Sequence, residues 1–216
     1  FCSLGQLKQQ TDAYSNLTQM YYAGYRTEIV NPAGKKTVMS LNRYGDLTKV
    51  VNHLGEVTQR QYDARRRLTQ VTLPEGNGTQ YTYDGSDNVL TMVAFKKPGS
   101  PLSNITVTRT YDPLWNKVKT FVDGMSRTTT YNYNATTGNL ESVVYPTVTG
   151  SGTPQYTMTY NARGQVLTVT EPTGIVTKNT YDTATEKLSS TVVDFGTGRL
   201  NLTTNFGYNA VGDVTT

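Results

Sequence analysis

The sequence predicts an all-β chain of tandem antiparallel β-hairpins, and three observations predict it. A Tyr-Asp or Tyr-Asn phrase recurs along the chain, as in "QYTYDGSDNVL" at 80–90. The segments flanking each phrase alternate Thr, Val and Tyr, which suits pleated strands. Pro or Gly breaks the strands again between phrases, so each repeat reads as a pair of strands with a turn at both ends.

Taken in order, the phrase-opening position is Leu41, Tyr62, Tyr83, Tyr111, Tyr133, Tyr160, Tyr181 and Tyr208, at steps of 21 to 28 residues. The next position is Asn42, Asp63, Asp84, Asp112, Asn134, Asn161, Asp182 and Asn209, so it is Asp or Asn every time. Gly45, Gly164 and Gly212 stand three residues further on. Asp or Asn opening a type I turn can accept backbone N–H groups two residues on, and Gly at the fourth turn position tolerates a left-handed bulge. Each phrase is therefore read as a hairpin turn. The opening "FCSLGQL" fits the same frame through Phe1, Gly5 and Leu7, and the copy near Tyr21 and Tyr22 is degraded. The repeats are expected to run over residues 1–216 as about ten copies, degenerate in 1–40 and clear in 41–216, with no second domain.

Strand alternation places Tyr81 with Tyr83, Tyr131 with Tyr133, Met158 with Tyr160, and Phe206 with Tyr208 on one aromatic face. The second turn of each repeat falls in "NPAGKKT", "NHLGEVT", "LPEGNGT", "DGMSRTT" and "EPTGIVT". The three long repeats all carry their extra residues at that far turn, in "FKKPGSPLSN", "PTVTGSGTPQ" and "DFGTGRLN". Insertions are tolerated where loops reach solvent, so one edge of the ribbon is expected to be packed and the other free. About twenty strands at ~4.8 Å would give a ribbon on the order of 90 Å long that must curl, spiral or wrap. A single sheet with an aromatic face cannot bury that face alone, and is expected to meet other repeats of its parent chain or copies of itself.

The phrases "YDARRRLTQV", "YNARGQVLTVTEPTGIVTKNTYD" and "YNAVGDV" closely resemble the RHS or YD repeat of bacterial Rhs polymorphic toxins, Tc toxin B and C components, wall-associated YD proteins and teneurins. The resemblance is clearest from Leu41 to Thr216. It implies a long β-ribbon spiralling into a hollow shell around a toxin polypeptide, in a secreted or bacterial cell-surface protein. No Asp-Pro-x-Gly autoproteolysis signature and no toxin domain is found, and the chain opens with Phe1. It is thus expected to be a fragment of the container wall, without plug or cargo.

Composition narrows the chemistry. One cysteine, Cys2, excludes an internal disulfide and a Cys-based metal site. No apolar run approaches the ~18 residues of a membrane span. The net charge of +4 is scattered rather than clustered, and a nucleic-acid partner is not expected. His53 is the only histidine, which leaves little room for a nucleophile–base pair and none for a two-His metal site. "DGSDN" at 84–88 lacks the sixth-place Gly and closing Glu of an EF-hand loop and reads as turn composition. The recurring carboxylates are spaced by whole hairpins, which suits turn capping rather than paired acid–base work. "RRR" at 65–67 and the "KK" pairs at 35–36 and 96–97 read as solvated turn charges, with an anion or polysaccharide contact as the alternative. Five Asn-x-Ser/Thr sequons arise readily in a Thr-rich chain. The residues expected to define the repeat are Tyr62, Asp63, Tyr83, Asp84, Tyr111, Asp112, Tyr133, Asn134, Tyr160, Asn161, Gly164, Tyr181, Asp182, Tyr208, Asn209 and Gly212, with no catalytic residue, metal or cofactor.

Two function classes follow. One is a structural shell segment enclosing a polypeptide cargo. The other is an extracellular carbohydrate-binding or adhesive module, or a self-assembling surface filament, in which exposed tyrosines stack on sugar rings.

Overall fold

A computed structural model of the protein describes residues 6–215; Phe1, Cys2 and Gly5 of the opening phrase lie outside the described residues. The chain forms two compact units, one up to Val107 and one from Thr108. The first carries β1 (Gln9–Thr11), β2 (Leu17–Ala23), β3 (Arg26–Val30), β4 (Lys36–Leu41), β5 (Leu47–Val51), β6 (Val57–Tyr62), β7 (Leu68–Thr72), β8 (Gly78–Tyr83) and β9 (Val89–Phe95). Strand β10 (Ile105–Tyr111) spans the boundary. The second unit continues with β11 (Val118–Val122), β12 (Thr128–Tyr133), β13 (Leu140–Val144), β14 (Gln155–Tyr160), β15 (Val166–Thr170), β16 (Val176–Tyr181), β17 (Leu188–Val193) and β18 (Leu202–Asn205). The described residues contain no helix.

Within each unit every strand pairs antiparallel with its neighbour in sequence, from β1–β2 through β8–β9 and from β10–β11 through β17–β18. The three long far-side connections are the ones the sequence singles out. They lie between β9 and β10, between β13 and β14, and between β17 and β18.

Register slips by one residue at the phrase-opening position. Thr82 lies opposite Thr91 but Tyr83 opposite Val89, and the same shift recurs at Leu41, Tyr62, Tyr111, Tyr133, Tyr160 and Tyr181. The cause is the turn: a left-handed residue closing a type I turn adds one residue to one strand.

Alternation then separates two faces. On one, Tyr131, Val143 and Tyr156 stand opposite each other across β12, β13 and β14, and Met158 faces Val169. On the other, Asn132, Ser142, Thr157 and Thr170 form a row across β12 to β15. Hydroxyls on that polar face pair directly, Thr82 with Thr91, Thr110 with Thr120 and Thr159 with Thr168, each at 2.6 Å. Phe206 falls just past the end of β18, its N–H donating to the Ser189 carbonyl in the same register as the β17–β18 ladder. Among the described residues only Gly138, Ser142 and Val143 are buried. Every other described residue keeps some contact with solvent.

Candidate functional site: the tyrosine edge

The recurring residues converge on one edge of each unit, where they form a repeated device. It begins in the turn. In the Asp63 turn, Oδ1 accepts the N–H groups of Arg65 (2.9 Å) and Arg67 (3.0 Å), while the Arg66 N–H donates to the Asp63 carbonyl. Asn42, Asp84, Asn161 and Asn209 accept N–H groups at the same two offsets. The Asp112, Asn134 and Asp182 turns are one residue longer and cap the second and third N–H groups instead. The residue that closes each turn is left-handed. Gly164 (φ 81°) and Gly212 (φ 97°) meet this need at no steric cost, whereas Arg66 (φ 65°) and Asp87 (φ 68°) adopt it as non-glycine residues.

The tyrosine completes the device. Tyr62 Oη donates to the Leu47 carbonyl at 3.0 Å, Tyr83 to Leu68 at 2.6 Å, Tyr133 to Val118 at 2.8 Å and Tyr181 to Val166 at 2.9 Å. Tyr160 reaches Leu140 at 2.7 Å and Tyr208 reaches Leu188 at 2.9 Å. Each acceptor is the first residue of the strand that leaves the preceding turn. Between β5 and β6 the paired residues end at Lys49 and Gln59, short of Leu47 and Tyr62, so the carbonyl there has no ladder partner. The phenol fills the gap between successive hairpins and satisfies that carbonyl. Burial raises the phenol pKa of Tyr83, Tyr133 and Tyr160. Even the degraded copy near Tyr21 and Tyr22 keeps the contact, with Tyr22 Oη donating to the Leu7 carbonyl at 2.9 Å.

Sequence reasoning placed these tyrosines on a packed face and missed the staple. The readable signal is the fixed interval of fifteen residues between acceptor and tyrosine in the short repeats, Leu47 to Tyr62, Leu68 to Tyr83, Val118 to Tyr133 and Val166 to Tyr181.

Charges add a second link between neighbouring turns. Arg67 accompanies Asp63 within its turn (2.7 Å), reaches the Asp84 carbonyl (2.9 Å) and Asp87 (2.7 Å), and lies 4.6 Å above the Tyr83 ring. Arg65 donates to the Gly85 carbonyl, and Arg66 turns back to Asp46 (2.7 Å) and the Tyr44 carbonyl. In the "RRR" run Arg65 and Arg66 keep the solvent contact expected of turn charges, their side chains 57% and 53% exposed, and the run has a further role. It bridges the turns on both sides. Lys117 above Tyr133 (5.4 Å) and Lys187 above Tyr208 (4.9 Å) repeat the cation–ring contact. The backbone N–H and then the guanidinium of Arg67 hold the Asp63 carboxyl below its usual pKa, and the Asn88 side-chain amide does the same for Asp84. For Asp182 the backbone N–H of Thr185 is the main cause. At the Asp112 turn the Trp115 ring lies against Gly138 of the next turn, where an added Cβ would meet it at 2.7 Å.

Successive turns leave small clefts of about 270, 240 and 300 Å³ above Tyr160, Tyr181 and Tyr208. Their walls combine polar side chains, several already bonded to one another, with the apolar Met158, Ala162 and Phe206. His53 sits exposed in the Asn52 turn at the far edge. Asp84 and Asn88 of "DGSDN" bond each other within their turn (2.9 Å). Lys36 pairs with Glu28, and Lys97 with Glu75 at 3.3 Å. Among the described residues no group of three or more His, Cys, Asp or Glu could hold a metal ion, and no helix is long and apolar enough to cross a membrane.

The far turns reuse the same chemistry, which the sequence reading assigned only to Pro and Gly. Asn52 and Asp123 accept the second and fourth N–H groups of their turns just as Asp63 does.

Comparisons with known proteins agree with this geometry. The RHS Repeat family model matches residues 42–77 and 67–95. The crystal structure of TcdB2-TccC3-TEV superposes with a TM-score of 0.55 at 11% identity over 99% of this chain and 15% of that one. TcdB2-TccC3-Cdc42 gives 0.54 at 15% identity, and TcdB2-TccC3 gives 0.51 at 16%, each over 95% of this chain and 14% of the other. The chain therefore spans about a seventh of the length of the structures it resembles. No curated protein matches it.

Proposed function

We propose, from the premise that this chain is an RHS-repeat segment, that it is a stretch of the wall of a secreted or surface shell that encloses a polypeptide, with no catalytic activity of its own. The observation that carries the reading is a sheet whose two faces both stay uncovered while one edge is tied from hairpin to hairpin. A wall needs lateral rigidity and two accessible faces, and the tyrosine staples supply the first without a core. The likeness in fold to TcdB2-TccC3 assemblies supports the same reading. The carboxylates that open the turns, Asp63, Asp84 and Asp182, are engaged in capping backbone N–H groups, which suits a structural role rather than that of a base beside a nucleophile.

The adhesive reading needs tyrosine rings free to stack on sugars. Tethered hydroxyls, half-buried rings and the cations above Tyr83, Tyr133 and Tyr208 weigh against it.

The test is protease protection in the parent protein. A polypeptide carried by the parent chain should resist a broad-specificity protease until the repeats are denatured. Digestion at the rate of the free polypeptide would remove the shell reading.

A further inference from the structure

The far edge of the second unit holds a groove that the wall reading does not use. Its volume is about 650 Å³, within the range of built ligand sites. Three successive far-side connections converge on it: the Asp123–Arg127 turn, the long connection between β13 and β14, and the turn carrying Pro172. The long connection is itself fixed. Val148 and Gly152 form a bridge, and the hydroxyls of Thr147 and Thr153 meet at 2.7 Å.

We propose that this groove binds a proline-rich segment in the polyproline II conformation. Tyr145 and Tyr156 stand edge to face, centroids 6.0 Å apart and planes at 68°. The two rings touch, each holding the other in place, so a ligand packs on the exposed part of Tyr145 rather than between them, as a pyrrolidine does against a phenol ring. Pro146, Pro154 and Pro172 complete the lining, and their rigidity holds the groove in shape before binding. Tyr145 remains 41% exposed, so its ring is available.

The polar end matches the same ligand. A polyproline II chain has no internal hydrogen bonds, and its carbonyls project outward with partial negative charge. Arg127 commits Nε and one terminal nitrogen to Asp123, at 2.8 and 2.7 Å, and its side chain is 58% exposed. The remaining guanidinium N–H groups complement those carbonyls. Aromatic grooves with a few such donors are a recurrent solution for proline-rich ligands.

The inference is independent of the shell reading and is tested on the whole 216-residue chain with fluorescein-labelled decaproline, read by anisotropy. Saturable binding is expected, weakened at least tenfold by Tyr145→Ala and by Arg127→Gln, and unchanged by Tyr44→Ala at the opposite edge. Both weakened variants should keep the wild-type circular dichroism, which separates a lost contact from a lost fold. No binding at millimolar decaproline overturns the proposal, as does binding that Tyr145→Ala leaves intact. A Tyr145-dependent response to cello- or chito-oligosaccharides without one to decaproline would reassign the groove to glycans.

Discussion

At the scale of single residues, the recurring tyrosine does two jobs that one substitution pair can separate. Tyr160→Phe removes only the bond to the Leu140 carbonyl and should cost about 1 kcal/mol. Tyr160→Ala also empties the space between hairpins and should cost on the order of 3 kcal/mol. Urea melts of the two variants check the split, and equal losses would mean that the hydroxyl contributes nothing. Since burial raises the pKa of Tyr83, Tyr133 and Tyr160, their hydroxyls stabilise fully below the unfolded value of ~10, and that contribution fades as pH rises through the folded values. The turn carboxylates have the opposite sign. Asp63, Asp84 and Asp182 are lowered, so their contribution is present above the unfolded value near 3.8 and disappears as pH falls through the folded ones. A urea midpoint that is level near neutrality and declines below about pH 4 and above about pH 10 is the expected profile. Asp84→Asn should soften the acid limb, because Asn already performs the same capping at Asn42 and Asn161. The capping was legible in the sequence, since Asp and Asn act on amides two residues away. The staple was not, because its acceptor is a backbone carbonyl exposed only where register slips.

At the scale of the hairpin, the turn is the part that recurs from repeat to repeat and the far loop the part that varies. Ser126 closes the Asp123 turn with φ 61° and is exposed. Ser126→Gly should therefore stabilise the chain by about 1 kcal/mol, the cost of holding a non-glycine residue left-handed. A fall in thermal midpoint would show that the Ser126 side chain has a role of its own. Inserting one residue between Asp63 and Arg67 should be far more damaging. It would misplace the left-handed residue and move Leu68 away from Tyr83, breaking the bulge and the staple together. Strand positions and both turn series could be read from period and composition. The joining of neighbouring turns by Arg65, Arg66 and Arg67 could not, because charges twenty residues apart meet only after the hairpins are set side by side.

At the scale of the whole chain, the balance between what is tied and what is left open governs behaviour in solution. Gly138, Ser142 and Val143 are the buried residues among those described, and Tyr14, Tyr25, Leu54, Leu114, Met125 and Leu200 each expose more than half of their surface. Hydrophobic burial, the main favourable contribution in most domains, is therefore small here. Hydrogen bonds along the ladders, the Asp and Asn caps and the tyrosine staples take a larger share. A sheet held this way keeps strand edges and apolar side chains available for pairing. The isolated chain is accordingly expected to associate with copies of itself. In sedimentation velocity over a range of concentrations, species heavier than the 23.9 kDa monomer should grow with protein concentration. They should be enhanced by sulfate, which strengthens apolar burial, and weakened by mild urea. If the shell reading holds, fusing further RHS repeats to either end should suppress the association, because the same surfaces would be covered intramolecularly at much higher effective concentration. A non-associating monomer at every concentration would overturn this expectation. It would show that the hydrogen-bonded edge and the hydroxyl-paired face are sufficient to keep an almost coreless sheet in solution.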